Sequence, residues 1–325
     1  MKPESKVDNE PKLGITVRTL QESDLDEADR IMRLAFGTFI GLPDPTQFMG
    51  DADYVRTRWR ANPAAAFAAE AAGRLVGSNF ATRWGTVGFF GPLTIHPEFW
   101  DRGVGKRLLE PIVDLFSQWS TTHAGLFTFP HSQKHVGLYQ KFGFWPRFLT
   151  ALMSKPVEKK TGGAEWSTFS QAPTDEGESI MAAGRELTDS IYEGLDLTTE
   201  IAAVAKQNLG ETVLLWKANQ LRGLAVCHCG PGTEAGSGTC YMKFGAVRSG
   251  ASAEADFNGL LDVCEQMAAK RGLSRLFAGV NTARQEAYRQ MLARGFRTEI
   301  QGVVMSRPNE GGYNRPGIYL IDDWR

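Results

Sequence analysis

The feature that most constrains this chain is that its pattern of elements runs through twice. A helix and a two-strand hairpin are followed by strand, helix, strand, helix, strand, and the same order then returns. Gly77 of GRLVG corresponds to Gly223 of QLRG, about 146 residues later. Phe144 of KFGF corresponds to Phe296 of ARGF, about 152 residues later. A near-constant offset across several elements is what a tandem duplication leaves behind, and 325 residues accommodate two copies of such a fold. The spacing predicts a flexible tail over 1–12, a first domain over 13–157, a linker over 158–178 and a second domain over 179–325. The linker is expected because EKKTGGAEWSTFSQAPTDEGE is rich in Gly, Pro, Ser and Thr, with Trp166 and Phe169 pinning it to a surface.

Within the first half, Leu25, Ala28, Ile31, Met32, Ala35 and Phe36 fall on one helical face. Ala64 to Ala71 and Arg74 to Trp84 read as strands across an Ala72-Gly73 turn. Gly91 to His96 reads as a strand, followed by a helix that carries Leu108, Ile112 and Phe116, with Pro111 as a candidate kink. A strand over Ala124 to Phe129, a helix over Lys134 to Phe142 and a strand region over Phe144 to Pro156 complete this half. The second half repeats the plan, with its hairpin turn at Asn219-Gln220. The final GGYNRPGIYLIDDWR contains a strand-like IYLI and is expected to pack, against the first domain, rather than trail free. The fold class is α/β (α+β), with each domain a mixed, bent sheet flanked by helices.

The charges set bounds on function. There are 36 basic and 37 acidic residues, which argues against a nucleic-acid or membrane-surface binder. The sequence has no apolar run long enough to span a bilayer, and MKPESKVDNEPK lacks a signal-peptide core, so a cytoplasmic location is expected. The 4 cysteines all lie in the second half. In LRGLAVCHC, strand alternation puts Cys227 and Cys229 on one face and His228 on the other, which reads as buried thiols and not a metal site.

Most of the chemistry lies in GPLTIHPEFWDRGVGKRLL. A strand runs into a loop holding Gly103 and Gly105, and then into a helix. Backbone N–H groups at a helix start lack intrahelical partners, and the helix dipole favours an anion there. Glycines let a phosphate approach the backbone. Lys106 and Arg107 add positive charge where the dipole alone disfavours it. The loop fits neither a Walker sequence nor the dinucleotide fingerprint.

With these residues in place, the first half resembles the GNAT (Gcn5-related N-acetyltransferase) superfamily. LTIHPEFWDRGVGKRLL resembles its pyrophosphate-binding stretch, and HSQKHVGLYQKFGF its second conserved stretch. ESDLDEADRIMRLAF and AAEAAGRLVG fit as its first helix and hairpin. The resemblance implies acetyl-CoA as co-substrate, no metal, and two parallel strands that splay to admit the pantetheine arm, here Gly91–His96 and Ala124–Phe129. It implies pantetheine pairing with the backbone of Leu93 and Ile95, and pyrophosphate on the amides of Asp101, Arg102, Gly103, Val104, Gly105 and Lys106. Trp100 stands where the family often has Gln or Arg, and Ser132 where it often has Asn. Tyr139 stands at the family's tyrosine, which implies a general acid toward the departing thiolate. His131 and Glu98 are candidate bases, beside a water-mediated route.

The second copy keeps the order of elements but not these groups. RSGASAEADFNGLL replaces DRGVGKRLL, and Met291 stands where Tyr139 stands in the first. The resulting expectation is an N-acetyltransferase active in the first copy. The acceptor expected is a small-molecule amine, or else a protein amine, and a homodimer is possible. The alternatives are a non-catalytic acyl-CoA-binding module or transfer of another acyl group.

Overall fold

The computed structural model describes residues 14–158 and 165–325, so the expected tail and part of the expected linker lie outside the described residues. The first half comprises β1 (Ile15–Thr19), α1 (Leu25–Ile40), α2 (Val55–Ala61), β2 (Ala66–Ala71), β3 (Arg74–Trp84), β4 (Val87–Phe90), β5 (Thr94–Ile95), α3 (Val104–Gln118), β6 (His123–Thr128), α4 (Gln133–Gln140) and β7 (Trp145–Pro156). The rest comprises β8 (Trp166–Thr168), α5 (Gly177–Asp189), α6 (Thr198–Gln207), β9 (Gly210–Lys217), β10 (Gln220–Gly230), β11 (Gly236–Val247), α7 (Ala253–Lys270), β12 (Arg275–Asn281), α8 (Gln285–Ala293), β13 (Arg297–Arg307) and β14 (Leu320–Ile321). The expected face of α1 is the one that packs: Leu25, Ala28, Ile31, Met32 and Ala35 are buried. Helix α3 runs unbroken through Pro111.

The two halves repeat one parallel strand register. Val87 pairs in parallel with His123, and Thr239 with Arg275. Phe89 pairs with Gly125, and Tyr241 with Phe277, so both strands keep one offset between the copies. The hairpins match too. Ala72 and Gly73 have φ of 50° and 74°, and Ala218 and Asn219 have φ of 48° and 60°, the left-handed pair a two-residue turn requires. The second turn therefore sits one residue before the Asn219-Gln220 position that the sequence suggests. Gly77 and Gly223 are glycine for one shared reason. A Cβ would meet the Thr94 carbonyl at 2.6 Å in the first copy and Val247 Cγ1 at 2.8 Å in the second.

The halves do not form separate sheets. Strands run in the order β1-β2-β3-β4-β6-β13-β7-β12-β11-β10-β9-β8. Strand β7 of the first half thus lies between β13 and β12, and β13 lies between β6 and β7. Each copy hands its last strand to the other. Ala151 and Met153 of β7 sit in the second core, while Val303 and Met305 of β13 sit in the first. Residue 157 is accordingly no packing boundary. The described end of the expected linker is an edge strand, β8, paired with β9.

A buried ionic network also joins the halves. Arg58 of α2 grips Glu234 through two bonds of 2.9 and 3.0 Å. Lys243 then bridges Glu234 at 3.0 Å and Glu200 at 2.8 Å. Arg58 also donates to the Gly91 carbonyl at 2.6 Å, which ties the network to the point where the first copy's central strand leaves the sheet.

Candidate active site

That departure corrects the strand expected over Gly91–His96. The parallel partner of β6 is β4, Val87–Phe90. Pro92 has no N–H to continue a ladder, and Gly91 takes a φ of 143°, so the chain swings away from β6. It rejoins the sheet as β5, against β3 on the other side: Ser78 pairs with Thr94 and Gly77 with Ile95. Between β5 and the end of β6 a wedge opens, and it holds a cavity of about 1040 Å³.

The expected cofactor groups gather along this cavity. His96 N–H donates to Val76 at 2.9 Å, so alternation turns the backbone of Ile95 and Leu93 away from β3 and toward the opening. The Ile95 carbonyl already accepts the Trp100 indole N–H at 2.8 Å, leaving its second lone pair. Trp100 is thus a strand-exit brace, a role the sequence did not suggest. Helix α3 starts at Gly103, whose φ is 79°, and no side chain caps it. Its first intrahelical bond is Arg107 N–H to Gly103 O at 3.3 Å, which leaves the amides of Val104, Gly105 and Lys106 without intrahelical partners.

Gly105 is glycine for a reason other than phosphate approach. A Cβ there would lie 3.1 Å from Ile95 Cδ1 and 3.2 Å from Leu138 Cδ2, so the residue seats α3 against β5 and α4. Asp101 has a φ of 64° and reaches Lys134 Nζ at 2.6 Å, which clips the loop to α4. The Arg102 side chain stacks on Phe99 at 5.5 Å and does not line the cavity, unlike Asp101, Gly103, Val104, Gly105 and Lys106.

Tyr139 lies on the cavity wall, packed edge-on to Phe90 at 5.7 Å. Burial pushes its phenol well above the ordinary value, and a hydrogen bond with the Thr128 hydroxyl pulls weakly the other way. It stays protonated at neutral pH. Ser132 also lines the cavity, but its oxygen caps α4 by accepting His135 N–H at 3.4 Å, leaving its hydroxyl proton and a second lone pair for a ligand. His131 stacks between Phe39 and Phe129 and is not on the wall. His135 is on the wall, and burial, helped by Lys134 and His131, holds its imidazole below the ordinary value and therefore neutral. Glu98 lies outside the cavity, in a turn capped by His96.

The cavity lining is largely apolar and draws on both halves. Phe36, Phe39 and Phe48 face Leu152, Ile300 and Trp324, with Arg325 beside them. Sequence reasoning missed these residues. The aromatic spacing at the end of α1 was the available signal for Phe36 and Phe39, whereas nothing local marks Ile300 or Arg325.

Residues 29–144 match the Acetyltransferase (GNAT) family. The matched stretch lies wholly within the first copy and is similar to a GNAT domain. Among solved structures, the fold is similar over both halves to a protein from Pyrococcus horikoshii described as a putative acetyltransferase, at a TM-score of 0.66 and 14% identity, covering 94% of this chain and 93% of that one. It is similar to a GCN5-related N-acetyltransferase from Sphaerobacter thermophilus, at a TM-score of 0.59 and 14% identity, covering 94% and 97%. A glucosamine N-acetyltransferase region of a fungal multi-domain β-N-acetylglucosaminidase gives a TM-score of 0.62 at 12% identity, covering 90% of this chain and 38% of that one. No curated protein matches the sequence. The likeness to these structures over nine-tenths of the chain supports the doubled fold. Among the described residues, no helix is long and apolar enough to cross a membrane. The cysteines are free thiols: Cys227, Cys240 and Cys264 are buried, and Cys229 Sγ is 3.9 Å from Cys240 Sγ.

Proposed function

We propose that the first copy moves an acetyl group from acetyl-CoA to a primary amine by direct attack. The observation that carries this reading is the wedge between β5 and β6, which ends at the uncapped start of α3 and has Tyr139 on its wall. The open amides of Val104, Gly105 and Lys106 suit a pyrophosphate. The outward backbone of Leu93 and Ile95 suits the amides of a pantetheine arm, which would lie as an added strand.

In the transfer, the amine nitrogen bonds the thioester carbon and the C–S bond breaks. The amine releases one proton and the thiolate takes one up. Tyr139 supplies the hydrogen bond to that thiolate. Since its phenol is pushed up and a thiol ordinarily titrates near 8.5, the residue serves better as a strong donor to the sulfur than as a full proton source. His135 is the cavity imidazole able to accept the amine proton, directly or through water.

Residues of the exchanged strands and of the last segment line the same cavity, and an enclosure built from both halves favours a small-molecule acceptor over a protein lysine. The bond from Trp100 to Ile95 favours a second reading, an acyl-CoA-binding module without turnover, because it claims part of a pantetheine partner. Titration with acetyl-CoA and an amine panel followed by thiol release separate the two. Binding with turnover supports the enzyme, binding alone supports the module, and absence of binding overturns both.

A further inference from the structure

Strand register equates the residues that flank the first copy's slot with those of the second. Continuing the pairing from Phe89 and Tyr241, Leu93 corresponds to Gly245 and Ile95 to Val247. In the second copy these positions are taken by the chain itself. Gly245 pairs with Ile321 and Ala246 with Leu320, and Val247 N–H donates to Tyr319 O at 3.2 Å. Arg284, the counterpart of Ser132 at the start of α8, holds Asp322 by its carbonyl at 3.1 Å and its carboxylate at 2.6 Å. Residues 319–322 therefore run along the second slot as a pantetheine arm would run along the first.

Past Asp322 the segment crosses to the first copy. Trp324 stacks on Phe89 with rings 6.2 Å apart, over Gly125, where a Cβ would lie 2.2 Å from the indole. Arg325 follows and lines the first copy's cavity. Its guanidinium lies 4.2 Å from the Tyr241 ring centre and 4.5 Å from that of Phe277. Its Nε forms an ion pair with Asp323 Oδ1 at 3.4 Å, and the same oxygen accepts from the Tyr241 hydroxyl at 3.0 Å and the Arg325 backbone N–H at 3.2 Å. A planar guanidinium backed by rings, on the wall of a cavity lined largely by apolar side chains, is shaped to bind a carboxylate.

We propose that Arg325, carried into the first copy's cavity by the segment that fills the second copy's slot, recognises the acceptor, and that the acceptor is an amine bearing a carboxylate on an apolar body. Phe36, Phe39 and Ile300 receive the apolar part. The proposal rests on the N-acetyltransferase reading of this cavity.

The test compares amines that differ by one carboxylate: phenylalanine with phenethylamine, tryptophan with tryptamine, 6-aminohexanoate with pentylamine. In the full chain, at least one acid is expected to be the better substrate of its pair. Arg325→Met should lower kcat/KM for that acid on the order of 30–100-fold, chiefly through KM, and leave its uncharged partner within about 2-fold. Arg325→Lys should recover part of the loss, and both variants should bind acetyl-CoA as the parent does. Preference for the uncharged amine in every pair overturns the proposal. So does an equal loss on both members of a pair in Arg325→Met or, should that variant melt early, in Arg325→Lys. If acetyl-CoA binds but no amine is acetylated, the transferase reading fails separately. Binding of the same acids to the acetyl-CoA-loaded protein then decides: affinity that Arg325→Met abolishes supports the site, and no affinity overturns it.

Discussion

Replacing Glu234 by Gln tests whether the buried ionic network holds the two copies together. Both Glu234 and Arg58 are almost wholly buried, with side chains 0% and 3% exposed. The network balances its charges: Arg58 and Lys243 are positive, Glu234 and Glu200 negative. Glu234→Gln leaves one buried positive charge in excess, and removing one partner of a buried pair costs about 3–5 kcal/mol. Unfolding entropy for 325 residues is roughly 0.7 kcal/mol per degree, which converts this to a melting-temperature loss of about 4–7 °C if the chain unfolds as one unit. Arg58→Met should cost a similar amount with the opposite excess charge. The double variant restores balance, since Lys243 keeps Glu200, and should be less destabilised than the two single losses added together. Calorimetric melting of all four proteins gives the coupling directly. Single variants that melt within about 2 °C of the parent, or a double variant as poor as the sum, would refute the reasoning.

Tyr139→Phe should lower kcat by roughly 10²-fold with acetyl-CoA affinity unchanged, read from thiol release and titration. Gly105→Val should weaken acetyl-CoA binding at least about 10-fold, because its branches press on Ile95 and Leu138 and tilt the start of α3; titration reads this as a changed Kd. Acid should unfold the network. Burial opposes ionisation of Glu200, but Lys243 and His228 outweigh it and hold its pKa at about 2, below the ordinary 4.5. A depressed carboxylate stabilises the fold above its unfolded value and loses that contribution as pH falls, so melting temperature should drop most steeply between about 4.5 and 2. Lys243→Met should flatten that drop. Titration should also give one acetyl-CoA per chain, because residues 319–321 pair with the second copy's slot.

The local signals in the sequence carried far. Periodicity found the buried face of α1, turn chemistry found both hairpins, and Gly103 with its helix marked the uncapped start of α3. Each is a property of neighbouring residues. The misplaced strand at Gly91–His96 shows where local reading stops, because an apolar run there fits a central strand as well as it fits two short pieces paired to different neighbours. Gly91 and Pro92 were the signal for the break, and it is the break that opens the cavity.

The exchange of β7 and β13 was illegible for a deeper reason. Alternation states which face of a strand is buried, not which copy's helices bury it, and in a duplicated fold both copies offer equivalent cores. Ala151 and Met153 satisfy the second core as well as they could the first. The same degeneracy explains the last segment. IYLI reads as a strand, but its partner at Gly245 and Ala246 can be recognised only once the register shows that these positions correspond to the open strand edge of the other copy. The two halves thus hold corresponding strand edges, one covered by the chain itself and one facing a cavity. The chain's own backbone pairs with the strand edge of the second, from Gly245 to Val247, while the first keeps its edge open and has Trp324 and Arg325 on its wall.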